Sequence, residues 1–281
     1  MRDLLITVPH HAATVPLEIL AEMLGDDVHD DATRSDLLER LRRDGDPSTD
    51  ELFRLPGARF VTATVSRFVV DLNRARDDVG PNGVVKTTDF AKRPLYPAGG
   101  EPDGERIEER LRRYYDPFHA QVRRELQRER PLAVVDGHSM VADGPALGPD
   151  AGRPRPAASL ITGGGPDGEP EDGPVSLPGA AARALASALE TTLAARLPLG
   201  QDGVPHGVRI NDPFAHGEIQ RRYGAWDPAG AVPTVSIEIH RALFEDAGAR
   251  PRAQRIVQIR EAIGEALRMA RPHLERATVG R

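Results

Sequence analysis

Leu132-Ala-Val-Val-Asp-Gly-His-Ser-Met140 is the stretch from which the fold is read. Four apolar residues in succession, two of them β-branched, spell a strand buried on both faces, as in a parallel sheet covered by helices. The run stops at a polar cluster around His138, which falls at the strand's carboxyl end. Open α/β sheets bind ligands there, because helices cover both faces and only the strand ends open onto a crevice. The pattern recurs in Leu4-Leu-Ile-Thr-Val-Pro-His10 and in Thr234-Val-Ser-Ile-Glu-Ile-His240, where Glu238 interrupts the apolar alternation. Three strands far apart in sequence thus each deliver a side chain able to ligate a metal or move a proton.

Between these strands the sequence alternates helix and strand signals. A helix is expected over Pro16 to Leu24, with Thr14 as N-cap and Pro16 in the first turn. A second runs from about Asp31 to Arg43 and ends at the turn Asp44-Gly-Asp-Pro47; a short helical turn follows over Ser48 to Arg54. Arg59 to Leu72 alternates polar with apolar residues and reads as one long strand, or two joined at Ser66-Arg67. The loop-rich segment to about Gly104 forms one wall of a pocket, since loops this long in compact domains are usually functional. Gly104 to Arg130 is a long amphipathic helix with a kink expected at Pro117. After the central strand comes a Pro/Gly-rich surface excursion at about 143–179, broken by a strand over Ala158 to Thr162. A helix over Ala180 to Arg196, a short strand over Val208 to Asn211, the Glu238 strand and a closing helix from about Arg252 to Arg271 complete the chain. This order predicts the α/β class, with a mixed, mainly parallel central sheet flanked by helices and residues 1–281 in a single domain.

Composition narrows the function classes. The chain has 281 residues and a net charge of −6 from interspersed signs, so it advertises no basic face for nucleic acid. Cysteine is absent, which excludes disulfides, thiolate nucleophiles and Cys-ligated zinc. Any metal must be held by His and carboxylate. No segment approaches the roughly 20 apolar residues of a membrane span, and a cytoplasmic protein without a membrane partner is expected.

His10, His138, the Asp44-Gly-Asp46 pair and Glu238 are the candidates for chemistry. Catalytic zinc takes three ligands from His and carboxylate and leaves a fourth position for water, which suits two imidazoles and one Asp, with Glu238 as base. The competing reading is a set of hydrogen-bonded structural histidines, and His11 and His240 fit it well. No short HxxE or HExxH spacing decides between the two. Arg74 closes a strand where its planar fork can clasp a carboxylate, and Arg67 can reach a developing oxyanion. Both can equally pair with structural acids such as Asp71 or Asp77.

Taken in order, Val8-Pro-His10, Asp44-Gly-Asp-Pro-Ser-Thr-Asp-Glu-Leu-Phe53, Ser66-Arg-Phe-Val-Val-Asp-Leu-Asn-Arg74, Asp136-Gly-His-Ser-Met140, Asn211-Asp-Pro-Phe-Ala-His-Gly217, Tyr223-Gly224 and Ile237-Glu-Ile-His-Arg-Ala-Leu-Phe244 resemble the N-formylglutamate amidohydrolase family over nearly the whole chain. The resemblance implies a phosphorylase/hydrolase-like α/β fold of the zinc exopeptidase-like kind. It also implies hydrolysis of the amide of an N-formylated, or similarly small N-acylated, acidic amino acid such as N-formylglutamate. By position, His10, Asp46 and His138 would hold Zn²⁺ or another divalent metal, with Asp50 a rival to Asp46. Glu238 would be the general base and Arg67 would polarise the scissile carbonyl. Asn73 and Arg74 would clasp the carboxylate of a small-molecule substrate, and Asn211 would join the substrate contacts. The sequence departs from the family pattern at His11-Ala12, at His216-Gly217 and between Gly163 and Gly179, which alters the pocket lining. A related metallohydrolase acting on a larger acylated metabolite or a peptide, and a non-catalytic ligand-binding relative, are the alternatives.

Overall fold

Six strands form one sheet in the order β2-β1-β3-β6-β4-β5 in the computed structural model, which describes residues 1–201, 204–225 and 231–279. The strands are β1 (Leu4–Val8), β2 (Arg59–Thr62), β3 (Ala133–Met140), β4 (Ala158–Ile161), β5 (Val208–Ile210) and β6 (Thr234–His240). β2, β1, β3 and β6 run parallel; β4 pairs antiparallel with β6 and parallel with β5. The mixed, mainly parallel α/β sheet expected from the strand signals is therefore present. β3, read from its apolar run, is buried along its whole length.

Burial on both faces follows from alternation within the strands. Leu4, Ile6 and Val8 of β1 and Val135 of β3 face the apolar layer formed with α6 (Gly179–Ala194) and α8 (Ala253–Val279). Leu5 and Val134 face the opposite layer, formed with α1 (Leu17–Leu24), α2 (Asp31–Asp44) and α5 (Asp116–Arg128). With helices on both faces, the carboxyl edge of the central strands is left open for a site.

Several local expectations are corrected. Arg59 to Leu72 is a strand only over β2, and the rest is a chain of turns in which Val69 and Val70 N–H donate to the Ser66 carbonyl. Phe68, Val69 and Val70 are buried in succession within these turns, outside the strand ladder. α1 begins after Pro16 with no side-chain cap, and the Thr14 carbonyl instead accepts the Ser66 N–H. The long helix divides into α4 (Gly104–Arg110), a π-turn over Leu111–Tyr115 and α5, with Pro117 in the first turn of α5. A proline there has no N–H to continue the α ladder, and the wider π-turn absorbs the break. α8 continues past Arg271 and through Pro272, because its apolar stripe persists at Leu274 and Ala277.

Candidate metal centre

His10 follows β1 by two residues, and His138 lies near the end of the adjacent β3. The register places Thr7 opposite Asp136 and His138 opposite Glu238 on β6. Asp46 comes from the turn after α2, whose backbone is tied to the first strand by an N–H bond from Asp46 to the His10 carbonyl at 3.0 Å. One ligand atom each from His10, Asp46 and His138 lies within 4.8 Å of the others, and all three residues are buried.

Buried carboxylates set the direction of both imidazoles. His10 Nε2 lies 2.8 Å from Asp71 Oδ1, and His138 Nε2 lies 2.6 Å from Asp136 Oδ2. These contacts turn the Nδ1 atoms toward Asp46 Oδ2, at 3.4 Å from His10 and 3.1 Å from His138. A carboxylate behind each histidine fixes ring orientation and raises the basicity of the ligating nitrogen. Asp136 is held in turn by the Thr7 and Ser236 hydroxyls, and Asp71 by Lys86 Nζ, Arg67 and the Asn73 N–H. Burial alone would raise the Asp71 carboxyl pKa, but Arg67 and Lys86 outweigh it and hold it well below the usual carboxylate range.

The donor set fits a divalent metal. His10 Nδ1 is buried and makes no hydrogen bond among the described residues. Leaving a buried polar atom unpaired costs about 1–3 kcal/mol, a cost that coordination removes. Two imidazoles and a carboxylate are among the ligand types of catalytic zinc. Asp46 could supply the carboxylate of such a set: burial opposes its charge, yet His10, His138 and Arg67 keep its pKa far below the ordinary value. Asp50 faces elsewhere, 3.6 Å from His11 Nδ1 and 3.6 Å from Arg54.

The three residues open onto a cavity of about 500 Å³ that is also lined by Glu238, Arg67, Asn73 and Arg74. Glu238 is the one residue of β6 that is not fully buried. Desolvation, reinforced by Asp46 against the pull of His138, pushes its carboxyl up to about 7. Five arginines line the cavity. Arg43, Arg67, Arg155 and Arg241 pair with Glu39, Asp71, Asp150 and Glu245. Arg74 donates only to the Asn82 and Asn73 carbonyls and has no carboxylate partner among the described residues. Asn73 accepts the Ile219 N–H and sits 3.3 Å from His138 Nε2.

The family model for N-formylglutamate amidohydrolase matches residues 2–245. This chain belongs to that family. An N-formylglutamate deformylase of Pseudomonas putida is 29% identical over 228 residues, covering 76% of this chain and 76% of the relative. Another, of Pseudomonas aeruginosa, is 32% identical over 199 residues, covering 68% of this chain and 65% of the relative. The crystal structure of N-formylglutamate amidohydrolase from Ralstonia eutropha JMP134 aligns with a TM-score of 0.57 at 23% identity, over 99% of this chain and 95% of that one. The gene product Atu2144 from Agrobacterium tumefaciens aligns with a TM-score of 0.55 at 22% identity, over 95% and 90% of the two chains. At these identities the structural likeness concerns the fold alone.

Within this N-formylglutamate amidohydrolase family member, one residue departs from its expected place. Asn211 is not among the residues lining the cavity. Its amide is spent on the Thr162 and Gly163 N–H groups and the Gly165 carbonyl, so it ties down the loop after β4. His11 and His240 make the structural contacts their sequence setting suggested, to the Ala63 carbonyl and the Ala242 N–H respectively. Motif reading missed Asp136 as a partner of His138, although two residues apart on a strand means the same face. Lys86 was missed as well, and no local pattern marks it.

Proposed function

We propose that this family member is a zinc-dependent amidohydrolase that removes the formyl group from an N-formylated acidic amino acid such as N-formylglutamate, in the cytoplasm. The observation that carries this reading is the convergence of two carboxylate-backed imidazoles on Asp46 in a cavity shared with Glu238. His10, Asp46 and His138 would hold the zinc. When bound, zinc supplies a Lewis acid that lowers the pKa of water to about 7 and polarises a carbonyl oxygen.

The protein's own groups do the rest. Arg74, the cavity arginine without an acidic partner among the described residues, clasps the substrate carboxylate, and Asn73 beside it orients the substrate. Arg67, held by Asp71 and 3.6 Å from Asp46 Oδ1, directs positive charge toward the carbonyl oxygen as it gains negative charge. Water's oxygen bonds to the carbonyl carbon and the C–N bond breaks. Glu238 accepts the proton from water and delivers it to the leaving nitrogen; a carboxyl raised to about 7 can both take and give a proton near neutrality. The substrate is a small carboxylate-bearing molecule, with neither nucleic acid nor membrane as partner. No helix of the described residues is long and apolar enough to cross a membrane.

Formate release from N-formyl-L-glutamate tests the reading. Zinc-loaded protein should turn the substrate over, chelation should abolish turnover, and zinc should restore it. Glu238→Gln should keep its metal and lose at least about 100-fold in kcat, the lower end of what a positioned acid–base group contributes. Full turnover in metal-stripped protein or in Glu238→Gln would contradict the mechanism.

A further inference from the structure

Of the 37 lysines and arginines in the chain, only Lys86 and Lys92 are lysines. Lys92 is exposed, whereas Lys86 is fully buried. The choice of lysine at this interior position has a geometric reason. An ammonium carries three donors around one nitrogen, while a guanidinium spreads five over a planar fork. Lys86 Nζ meets three acceptors: Asp71 Oδ2 at 2.9 Å and the Asn82 and Gly83 carbonyls, each at 3.3 Å. Burial lowers its pKa to about 8 against the pull of Asp71, so it keeps all three donors at neutral pH.

Two of these acceptors hold different parts of the site. Asp71 meets His10 Nε2 at 2.8 Å and the Asn73 N–H at 2.9 Å through Oδ1, and it holds Arg67 at 2.9 Å through Oδ2. The Asn82 carbonyl accepts from Lys86 and also from Arg74 Nε at 3.2 Å. One ammonium therefore bridges the carboxylate that holds Arg67 and the carbonyl that holds Arg74. The loop in between closes by other means. Gly83 N–H donates to the Gly80 carbonyl at 2.7 Å, Val84 N–H to the Asp78 carbonyl at 2.8 Å and Thr87 N–H to the Pro81 carbonyl at 3.1 Å. The Asp71 N–H ties the loop to its own strand of chain through the Val84 carbonyl at 2.7 Å. Backbone bonds thus set the loop, and the ammonium sets the spacing of the two guanidinium groups.

We infer that Lys86 is a positioning residue that holds Arg67 and Arg74 in one geometry, so that the carboxylate clasp and the carbonyl-facing arginine engage the same substrate together. The inference rests on the amidohydrolase reading above for the roles of the two arginines, which the activity of the unaltered protein tests by itself. Zinc-loaded parent and Lys86→Met are compared on N-formyl-L-glutamate. Methionine removes the charge and the donors at similar length, and Asp71 keeps Arg67 as its counter-charge, so the variant should retain one zinc per chain. Its kcat/KM should fall about 100-fold, the loss that a misplacement of about 1 Å can bring, with KM raised and kcat lowered together. In an Arg74→Met background the same change should lower kcat and leave KM where Arg74→Met alone puts it, because no clasp remains to be misplaced. A purely structural lysine would reduce the folded fraction, and with it kcat, at unchanged KM. A measurement on the unaltered chain covers a variant that fails to fold. With carbon-13 at lysine Cε, the parent gives one signal for Lys86 and one for Lys92, assigned with Lys92→Arg, and saturating L-glutamate should shift the first and leave the second in place. An unmoved Lys86 signal, unchanged KM in Lys86→Met, or a KM that rises further in the double variant would overturn the inference and leave the amidohydrolase reading in place. A parent protein that does not hydrolyse N-formyl-L-glutamate would overturn both.

Discussion

His138 and His119 are almost equally buried, 2% and 1% exposed, and they sit in opposite electrostatic settings. Among the described residues the hydrogen-bond partners of His119, on α5, are uncharged: Tyr223 Oη at 2.7 Å from Nδ1 and the Leu72 carbonyl at 3.1 Å from Nε2. The carbonyl can only accept, so Nε2 carries the proton and Nδ1 accepts from the tyrosine hydroxyl. Burial, aided by the Arg222 charge, pushes the imidazole pKa down to about 3. For His138, burial acts in the same direction, but the Asp136 carboxylate, with Asp46 and Glu238, overrides it and lifts the pKa well above the ordinary value. Burial alone does not make a histidine a ligand. The carboxylates packed behind and beside it prepare the place for positive charge.

That contrast can be broken most sharply at the two histidines themselves. His138→Ala should lose bound metal and at least about a thousandfold in kcat/KM, whereas His119→Gln should retain one metal per chain; elemental analysis beside the formate assay reads both. Equal metal content in the two variants would erase the distinction. A smaller effect is expected at the supporting carboxylate. Asp136→Asn should weaken zinc binding about 10–100-fold, as loss of such a partner typically does, measured by competition with a chromogenic chelator. Unchanged affinity would mean that Asp136 serves the strand and not the metal.

The smallest effect is on stability and belongs to His119. With its pKa at about 3 in the folded protein against 6.5 as the ordinary value, the unfolded chain binds a proton between those limits that the folded chain does not. Stability is therefore fully present above about pH 6.5 and declines as the pH falls toward 3, with a limiting slope from this group of about 1.4 kcal/mol per pH unit. Urea unfolding at pH 7 and pH 5 should show a shallower acid loss in His119→Gln than in the parent. Identical losses would show that the folded imidazole is not held neutral.

The two histidine settings also mark what the sequence discloses. His10 and His138 were legible because each ends an apolar strand signal, and Glu238 because it interrupts one. Their meeting was not, since the pairing of His138 with Glu238 depends on β6 lying beside β3 after long crossovers. Asp136 was within reach of a face argument. Lys86 was not: it lies in a loop and becomes a fully buried partner only once Asp71 has been placed. Over Arg59 to Leu72 the period-two alternation misled, because burial of Phe68, Val69 and Val70 is set by a turn sunk between helices and sheet rather than by strand pairing. The stacking of Arg155 on Phe214 could not be read from the Pro/Gly-rich loops either, because it joins segments remote in sequence.

Anomalous diffraction from zinc-loaded crystals, collected above and below the zinc edge, tests the central claim most directly. A single strong peak about 2.0–2.2 Å from His10 Nδ1, His138 Nδ1 and an Asp46 carboxylate oxygen is the predicted result. A peak outside the reach of these three residues, in crystals of protein that releases formate at full rate, would contradict it.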